Sequence, residues 1–481
     1  MVEIAAHPLP VSFPSSANLP IAIVGAGFSG TLLAINLLAQ GAHVVLVERQ
    51  REKLARGLAY QTHQPEHLLN VRANNMSAHA DDPDHFLRWL DHAENGRETD
   101  LLSTEEHPHT LSEEQANRFV PRVLYGRYLR EQLMKAMANA PARFTLKEQD
   151  AVDVEWRQDR AVLQLDSGEV VHAASLVLAT GHVEPQPLPV LAHLPPDLAV
   201  SNPWSPRAIE GLRPDDHVLL VGTGLTMVDV AMSLEEAGWR GKITACSRRG
   251  LMPRVHAETG PHAPPVFPPQ KHGSWLLRYL RERSRQVDWR QAVDEIRPHA
   301  QSLWRLHDAD EQARFLRHLR PWWDVHRHRM APQVAQRLAA MHQEGRLTAL
   351  AGRIQTAEQT GDGVQVTLQP RGTDRLEELN VTRIITCTGP QGDIAVKPAH
   401  LMANLLGQKR ARPDVHRMGL DVDRLGHVLN TAGQPQPRLF AVGPMTRGEA
   451  WETVAVPDIR RQVWQLARTL TGSHWVEGDG L

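Results

Sequence analysis

IAIVGAGFSGTLLAINLLAQGAHVVLVER, Ile21 to Arg49, decides the fold. Ile21–Val24 is a short apolar run of the kind shown by a strand buried on both faces. The turn behind it reads Gly25-x-Gly27-x-x-Gly30. Gly25 makes the bend, Gly27 lets the backbone approach a pyrophosphate, and Gly30 allows close packing of helix against strand. A helix from Phe28 to Gln40, with Phe28 and Ser29 in its first turn, then offers unpaired N–H groups and a positive dipole end to phosphates. Gly41 ends the helix, and His43–Val47 forms the next strand. Glu48 follows 23 residues after Gly25, where a carboxylate accepts from a ribose hydroxyl, with Arg49 beside it. The stretch is a dinucleotide site. It does not choose between FAD and NAD(P).

The chain has 481 residues, 41% of them hydrophobic and 22% charged, an ordinary soluble globular composition. With 53 basic and 55 acidic residues the formal net charge is −2, which leaves no electrostatic footprint for nucleic acid or an anionic membrane. Two cysteines, Cys246 and Cys387, lie far apart in apparent strands, so neither a disulfide framework nor a CxxC redox pair is present. Residues 1–19 lack a basic n-region and an apolar h-region and read as a loose tail rather than a secretory signal. Ile21–Val47 is too glycine-rich and too well fitted to a strand–helix–strand unit to be a membrane span. A cytoplasmic location is the expectation.

Further along, Arg56–Ala59 reads as a turn and His67–Met76 as an irregular loop carrying Asn70, Asn74 and Asn75. Asp82 as N-cap with Pro83 behind it predicts a helix bearing Phe86, Leu87, Trp89 and Leu90. Glu94–Gln115 reads as a polar surface excursion, and Arg118–Met137 as a helix. Short strands follow at 144–146, 151–157, 161–165, 169–172 and 175–182, the last running into Thr180-Gly181. Five prolines between Pro185 and Pro196 predict an extended linker.

At Val218 the opening pattern returns in VLLVGTGLTMVDVAMSLEEAGWRGKITACSRRG. Gly222 and Gly224, flanking Thr223, take the first two glycine positions, and Met227 takes the third. The second strand ends in Ser247-Arg248-Arg249 instead of a carboxylate, which suits a ribose 2′-phosphate and therefore NADPH. Two such units, 197 residues apart, point to one resident and one visiting dinucleotide. A helical insert over 273–345, with five tryptophans, interrupts the second unit, and strands resume at 347–351, 363–368 and 379–387. Thr388-Gly389 repeats Thr180-Gly181. RLFAVGPMTRGEAWETVAVPDIRRQVWQLARTL closes the chain as a strand, a Gly443-Pro444 turn and a helix from about 453 to 470.

Together these pieces resemble the two-dinucleotide-domain flavoproteins. GLAYQT, HLLNV, NNMSAHADDPDHFLRWL, FVPRVLYGRYL and WETVAVPDIRRQ resemble more narrowly a bacterial FAD/NAD(P)-binding family that includes an FAD-dependent urate hydroxylase and a nitrosuccinate-forming aspartate N-monooxygenase. The resemblance implies an α/β fold with two Rossmann-like domains. An FAD-binding domain over 20–215 and 385–481 is split by an NAD(P)H-binding domain over 216–384. It implies that Gly25, Gly27, Phe28, Ser29, Gly30, Glu48, Arg49, Thr180, Gly181, Gly443, Thr453 and Val454 serve FAD. It assigns Gly222, Thr223, Gly224, Ser247, Arg248 and Arg249 to NADPH. Two departures stand out: Gly443-Pro444 replaces the usual Gly-Asp before the last helix, and Arg72 stands where the narrower family has proline.

The implied activity is an NADPH-using monooxygenation of a small nitrogenous substrate, urate or amino-acid-like, by O2 through a flavin hydroperoxide. The alternative is a non-oxygenase NADPH reductase or a non-catalytic FAD-binding partner protein. No metal is required: His326 and His328, two apart on a predicted helix, point to different faces. Asn70, Asn74, Met76, Trp451 and Glu452 are the candidates for residues near the flavin ring; loop satisfaction by the asparagines and core packing by Trp451 are the plainer readings. Substrate identity and oligomeric state are not legible.

Overall fold

In the computed structural model, residues 19–94, 112–182, 187–257, 273–389 and 392–473 are described. The expected N-terminal tail (through residue 18), most of the polar excursion (95–111) and part of the proline linker (183–186) lie outside them.

Strands β1 (Ile21–Val24), β2 (Val44–Val47) and β3 (Phe144–Lys147) begin a first sheet. β4 (Ala151–Trp156), β5 (Ala161–Leu165) and β6 (Val170–Ala173) form a separate antiparallel meander, and β7 (Ser175–Leu178) rejoins the first sheet. A second sheet takes β8 (Ala199–Val200), β9 (His217–Val221), β10 (Lys242–Ser247) and β11 (Leu347–Thr360). It is completed by β12 (Gly363–Pro370), β13 (Glu377–Val381) and β14 (Arg383–Thr386). β15 (His427–Leu429) and β16 (Pro435–Ala441) return to the first, whose order is β15-β16-β7-β1-β2-β3; the second runs β13-β12-β11-β10-β9-β14-β8.

Both sheets repeat one plan. β1 lies parallel between β2 and β7, and β9 lies parallel between β10 and β14. The strand order therefore reverses at β1/β7 and at β9/β14, and a crevice opens at such switch points beyond the carboxyl ends of the strands. Every residue of β1 and β2 is buried, as strands covered on both faces require. One face of the first sheet is covered by the helix Phe28–Ala39, the C-terminal helix Val456–Thr471 and a cluster around Phe86, Tyr125 and Tyr128. The other face packs on the meander and the helix His400–Gly407. Against the second sheet Met227, a fully buried residue of the helix Leu225–Glu236, sits in a core shared with the helix Pro332–Gln343. The third glycine position of that unit is thus a packing position. The helical insert spans Ser274 to Gln343 between β10 and β11. Among the described residues no helix is long and apolar enough to cross a membrane.

Several expected bounds shift. The helix placed after Asp82-Pro83 begins at His85, because residues 83–84 form a turn and the Asp82 carbonyl accepts from Ser77 Oγ at 2.6 Å. The helix expected from Arg118 starts at Arg122; Phe119 and Val120 are extended, with Val120 accepting from Leu69 N, and Pro121 caps the turn. The strand expected over 379–387 is two strands. It breaks at Thr382, where the chain passes from the antiparallel edge into the parallel interior. β8 and β14, which lie on either side of the boundaries expected at 215 and 385, both pair into the second sheet.

Candidate active site

The first glycine turn is built by close backbone approach. At Gly25 (φ +100°) a Cβ would lie 2.5 Å from the Ala179 carbonyl oxygen at the end of β7; at Gly30 it would lie 1.9 Å from the Gly25 carbonyl oxygen. Gly27 caps the helix Phe28–Ala39 with no side chain on its N–H groups, leaving the first turn to an anion. Glu48, half-buried, closes the turn: Oε2 accepts from Ala26 N at 2.9 Å and Oε1 from Gln50 N at 3.0 Å. Arg49 is exposed beside it. From the returning segment, Gly443 (φ +80°) packs so closely that a Cβ would meet Ser29 Oγ at 2.3 Å, and its N–H donates to Gln462 Oε1 at 2.7 Å. Thr180 Oγ1 donates to Met445 Sδ at 3.7 Å. The β1, β7 and β16 ends therefore meet at one edge. Two residues missed by sequence reading join them: Gly57 packs on Gly27, and Arg56 carries a buried Nε without a hydrogen-bond partner. A glycine cradle, a carboxylate at the second strand and an orphaned guanidinium N–H fit an adenine dinucleotide.

The second turn follows the same geometry. At Gly222 (φ +119°) a Cβ would come within 2.4 Å of the Cys387 carbonyl oxygen, the counterpart of Gly25 against Ala179. Gly224 caps the helix Leu225–Glu236, and a Cβ there meets nothing within 4 Å. Thr223 Oγ1 hydrogen-bonds Ser247 Oγ at 2.8 Å and donates to the Leu251 carbonyl at 2.5 Å, tying the turn to the end of β10. Arg248 is exposed; Arg249 Nη2 donates to the Arg317 carbonyl at 3.0 Å on the helical insert. Gly224→Ala should therefore leave the thermal midpoint unchanged. It should raise the KM for NADPH roughly ten- to hundredfold, the loss of one or two hydrogen bonds to a charged phosphate. A midpoint drop without a KM change would remove Gly224 from the nucleotide site.

Between this turn and the returning C-terminal segment lies a cavity of about 270 Å³. Its lining includes Gly224, Leu225 and Thr226 from the turn, Pro253 beyond β10, and Arg447, Trp451, Glu452 and Val454 from the returning segment. The helical insert supplies Arg320, Asp324 and His328. Trp451 stacks on Trp304 (4.9 Å, 23°), whose Nε1 donates to the Gly448 carbonyl at 2.8 Å, while Arg305 grips Glu449 through two bonds. Thr453, fully buried, accepts from Gln301 Nε2 at 3.3 Å.

Glu452 is the most constrained residue there. It is buried, and its φ of +72° is a conformation few non-glycine residues adopt. Trp323 Nε1 donates to Oε1 at 2.8 Å, Arg327 Nε stands 3.1 Å from Oε2, and His328 Nε2 lies 3.8 Å from Oε1. The Arg327 contact is a charge contact without hydrogen-bond alignment, since neither Arg327 Nε nor Oε2 finds such a partner. Burial pushes the Glu452 carboxyl upward, but Arg327, His328 and the Trp323 N–H outweigh it and hold the group below the ordinary carboxylate range. Burial raises Asp324 and lowers His328. Burial, followed by repulsion from Arg320, lowers the Arg447 guanidinium to about 10.

Of the five residues expected near the flavin, Trp451 and Glu452 line this cavity; Asn70, Asn74 and Met76 are not among its lining residues. Asn70 Oδ1 accepts from Arg122 Nη2 and its carbonyl from His256, at the junction sealed by the Arg122–Asp229 ion pair (2.8 Å). Asn74 Nδ2 donates to Asn117 Oδ1, and Met76 is core. Arg72, in the place of a proline, donates to the Asn117 and Ala257 carbonyls. His326 faces Trp289 at 5.0 Å, while His328 faces Glu452. Among the described residues no cluster of His, Cys, Asp or Glu is placed to hold a metal.

Residues 22–183 match a sequence-family model described as FAD-NAD(P)-binding. A search of curated proteins gives no significant match. Solved structures share the fold over nearly the whole chain. L-lysine 6-monooxygenase from Pseudomonas syringae aligns with a TM-score of 0.63 at 15% identity, covering 95% of this chain and 99% of that one. An ornithine N-hydroxylase from Kutzneria, determined with reduced FAD, NADP+ and L-ornithine, gives 0.60 at 13% identity, covering 94% and 99%. The FAD-bound cadaverine monooxygenase from Erwinia amylovora gives 0.61 at 11%, covering 95% and 97%. The fold is that of the two-dinucleotide-domain flavoproteins.

Proposed function

We propose that the protein is an FAD-dependent, NADPH-using monooxygenase that uses O2 to hydroxylate a small nitrogenous substrate, urate or an amino-acid-like compound. The observation that carries this reading is the cavity in which the second glycine turn faces the segment returning from the first nucleotide site. A cofactor seated on Gly224 reaches toward Trp451 and Val454, where its partner dinucleotide would end. The three structural relatives named above are, by their descriptions, oxygenases or hydroxylases of lysine, ornithine and cadaverine, all small amines. The buried cysteines oppose a dithiol acceptor: burial raises both thiols above their ordinary range.

Bound FAD supplies the electron and oxygen chemistry. This chain's residues do the rest. Glu48 and the Gly25–Gly30 turn hold the adenosine half of FAD. Thr223, Ser247 and Arg248 receive NADPH, with Arg248 and Arg249 on the side of the 2′-phosphate. The Trp451–Trp304 stack and Thr453 keep water from the cavity wall. His328, whose charged form burial disfavours, offers an acceptor for the proton that an amine must lose before its nitrogen lone pair can react.

Turnover of the FAD-loaded protein with NADPH under oxygen-18 gas tests the reaction. One labelled oxygen per product is expected; NADPH consumption with dyes or quinones and no label in any product would sink the oxygenase reading. Glu48→Ala should weaken FAD binding roughly ten- to hundredfold, the value of a hydrogen bond to a charged group, and spare NADP+ affinity. Equilibrium binding of both dinucleotides measures this. The reverse pattern would mean the two sites are exchanged.

A further inference from the structure

We propose that a second cavity, on the flank of the second sheet, is a binding site for a small hydrophobic carboxylate, separate from both dinucleotide sites. The site goes beyond the monooxygenase reading and does not depend on it. Its volume is about 730 Å³, within the ~300–1,000 Å³ of pockets that enclose small molecules. Ala335, Leu338, Ala339 and His342, spaced three and four apart, share one face of the helix Pro332–Gln343 and line the space. The two alanines leave open what larger side chains would fill. Met330, Leu338 and Leu347, all buried, supply apolar lining.

The charged lining is of one sign. Arg254, Arg290, His326 and His342 border the cavity, and among the described residues no carboxylate does. The first cavity, by contrast, carries Asp324 and Glu452 beside its arginines. Arg290 Nε donates to the Val255 carbonyl at 2.8 Å, and its guanidinium lies over the Trp289 ring at 4.4 Å, which fixes it beside Arg254. Asp288 stands 3.3 Å from Arg290 Nη1 and offsets part of that charge. Arg254 is exposed and enters no ion pair among the described residues. His326 Nδ1 donates to the Trp322 carbonyl at 2.7 Å, and His342 Nδ1 to the Leu347 carbonyl at 2.9 Å. Nε2 is the remaining polar atom of each ring; it accepts from a carboxylic acid or, once protonated, donates to its anion. An apolar body with one anionic head complements this lining.

The adenine end of NADPH is the rival occupant, since Met252 and Pro253 follow the Ser247–Arg249 turn and line the cavity. Strand register separates the two. Ile243 pairs with Leu347 and Ser247 with Ala351. The lining residues Leu347 and Ala349 therefore lie toward the amino ends of the parallel strands, whereas the nucleotide crevice opens beyond the carboxyl ends. The two cavities have only Pro253 in common.

Calorimetric titration of the FAD-loaded protein tests this with three probes that share one tail: octanoate, 1-octanol and octylammonium. Octanoate should bind one site per chain, roughly tenfold or more tightly than 1-octanol, the value of one charge-assisted hydrogen bond. Octylammonium should bind more weakly still. Arg254→Glu, a change on an exposed side chain, should remove the preference for octanoate. Ala335→Leu should fill the space and abolish octanoate binding; if that variant fails to fold, Arg254→Glu carries the test. Neither octanoate nor Arg254→Glu should alter the affinity for NADP+. The proposal is overturned if octanoate shows no saturable site, if the alcohol or the ammonium binds as tightly, or if the variants bind octanoate as wild type does. Competition between octanoate and NADP+ would also overturn it, by making this cavity the adenine end of the nucleotide site. None of these outcomes depends on whether the protein consumes oxygen.

Discussion

Glu452→Ala should destabilise the protein by about 3–5 kcal/mol, the cost of removing one partner from a buried ion pair. Arg327 would be left buried beside a cavity wall with only weak alternatives, since its Nε and Nη2 already lack hydrogen-bond partners. Glu452→Gln should cost less, because the amide oxygen can still accept from Trp323 Nε1. Glu452→Gly should be milder than Glu452→Ala despite the same loss of charge, because glycine adopts φ +72° without the 1–2 kcal/mol penalty of an L-residue. The ion pair also sets a pH dependence. The Glu452 carboxyl is held below its ordinary range in the folded state, so its stabilisation is present above the unfolded-state pKa and is lost as pH falls through the depressed value. Thermal midpoints of the three variants between neutral pH and pH 3 test this ranking. An alanine variant as stable as wild type would show that the Arg327–Glu452 contact contributes nothing.

Gly30→Ala should act on flavin binding more than on global stability. A Cβ at 1.9 Å from the Gly25 carbonyl oxygen cannot be absorbed by a flexible side chain, because the obstacle is backbone that is itself pinned against Ala179. Overpacking of this kind typically costs about 1–3 kcal/mol, and the strain falls on the turn proposed to receive the pyrophosphate. The expected result is roughly ten- to hundredfold weaker FAD binding and a largely colourless purified protein. Full flavin content in Gly30→Ala would mean that the first turn is not the FAD cradle. The contrast with Gly224→Ala, where the added methyl meets open space, separates a fold requirement from a ligand requirement.

The two glycine turns were legible because everything they need is local. Gly25-x-Gly27-x-x-Gly30 with Glu48, and Gly222-x-Gly224 with Ser247, each sit within one strand–helix–strand unit. Even the switch points left a trace, since Thr180-Gly181 and Thr388-Gly389 mark the strand ends against which Gly25 and Gly222 pack. The cavity left no such trace. It is assembled from residues 224–226, 253, 320–328 and 447–454, and no local pattern announces that these stretches meet. Polar loop residues carry little signal of either kind. Asn70 and Asn74, which hydrogen-bond Arg122 and Asn117, look the same in sequence whether or not they also border a ligand. In the sequence His328 stands out only by its spacing from His326, although its structural neighbour is Glu452. The break at Thr382 escaped because apolar residues continue on both sides of it while the sheet environment changes.

In the proposed arrangement one dinucleotide rests on the Gly25 turn as FAD while NADPH arrives on the Gly224 turn and meets it across the cavity at Trp451. Anaerobic mixing of the FAD-loaded protein with a stoichiometric amount of NADPH tests it most directly, followed by the visible absorbance of the flavin. Wild type should bleach completely, with an observed rate that saturates in NADPH and shifts to higher NADPH in Gly224→Ala. A flavin that stays oxidised in wild type, or that bleaches with unchanged NADPH dependence in the variant, would contradict the account.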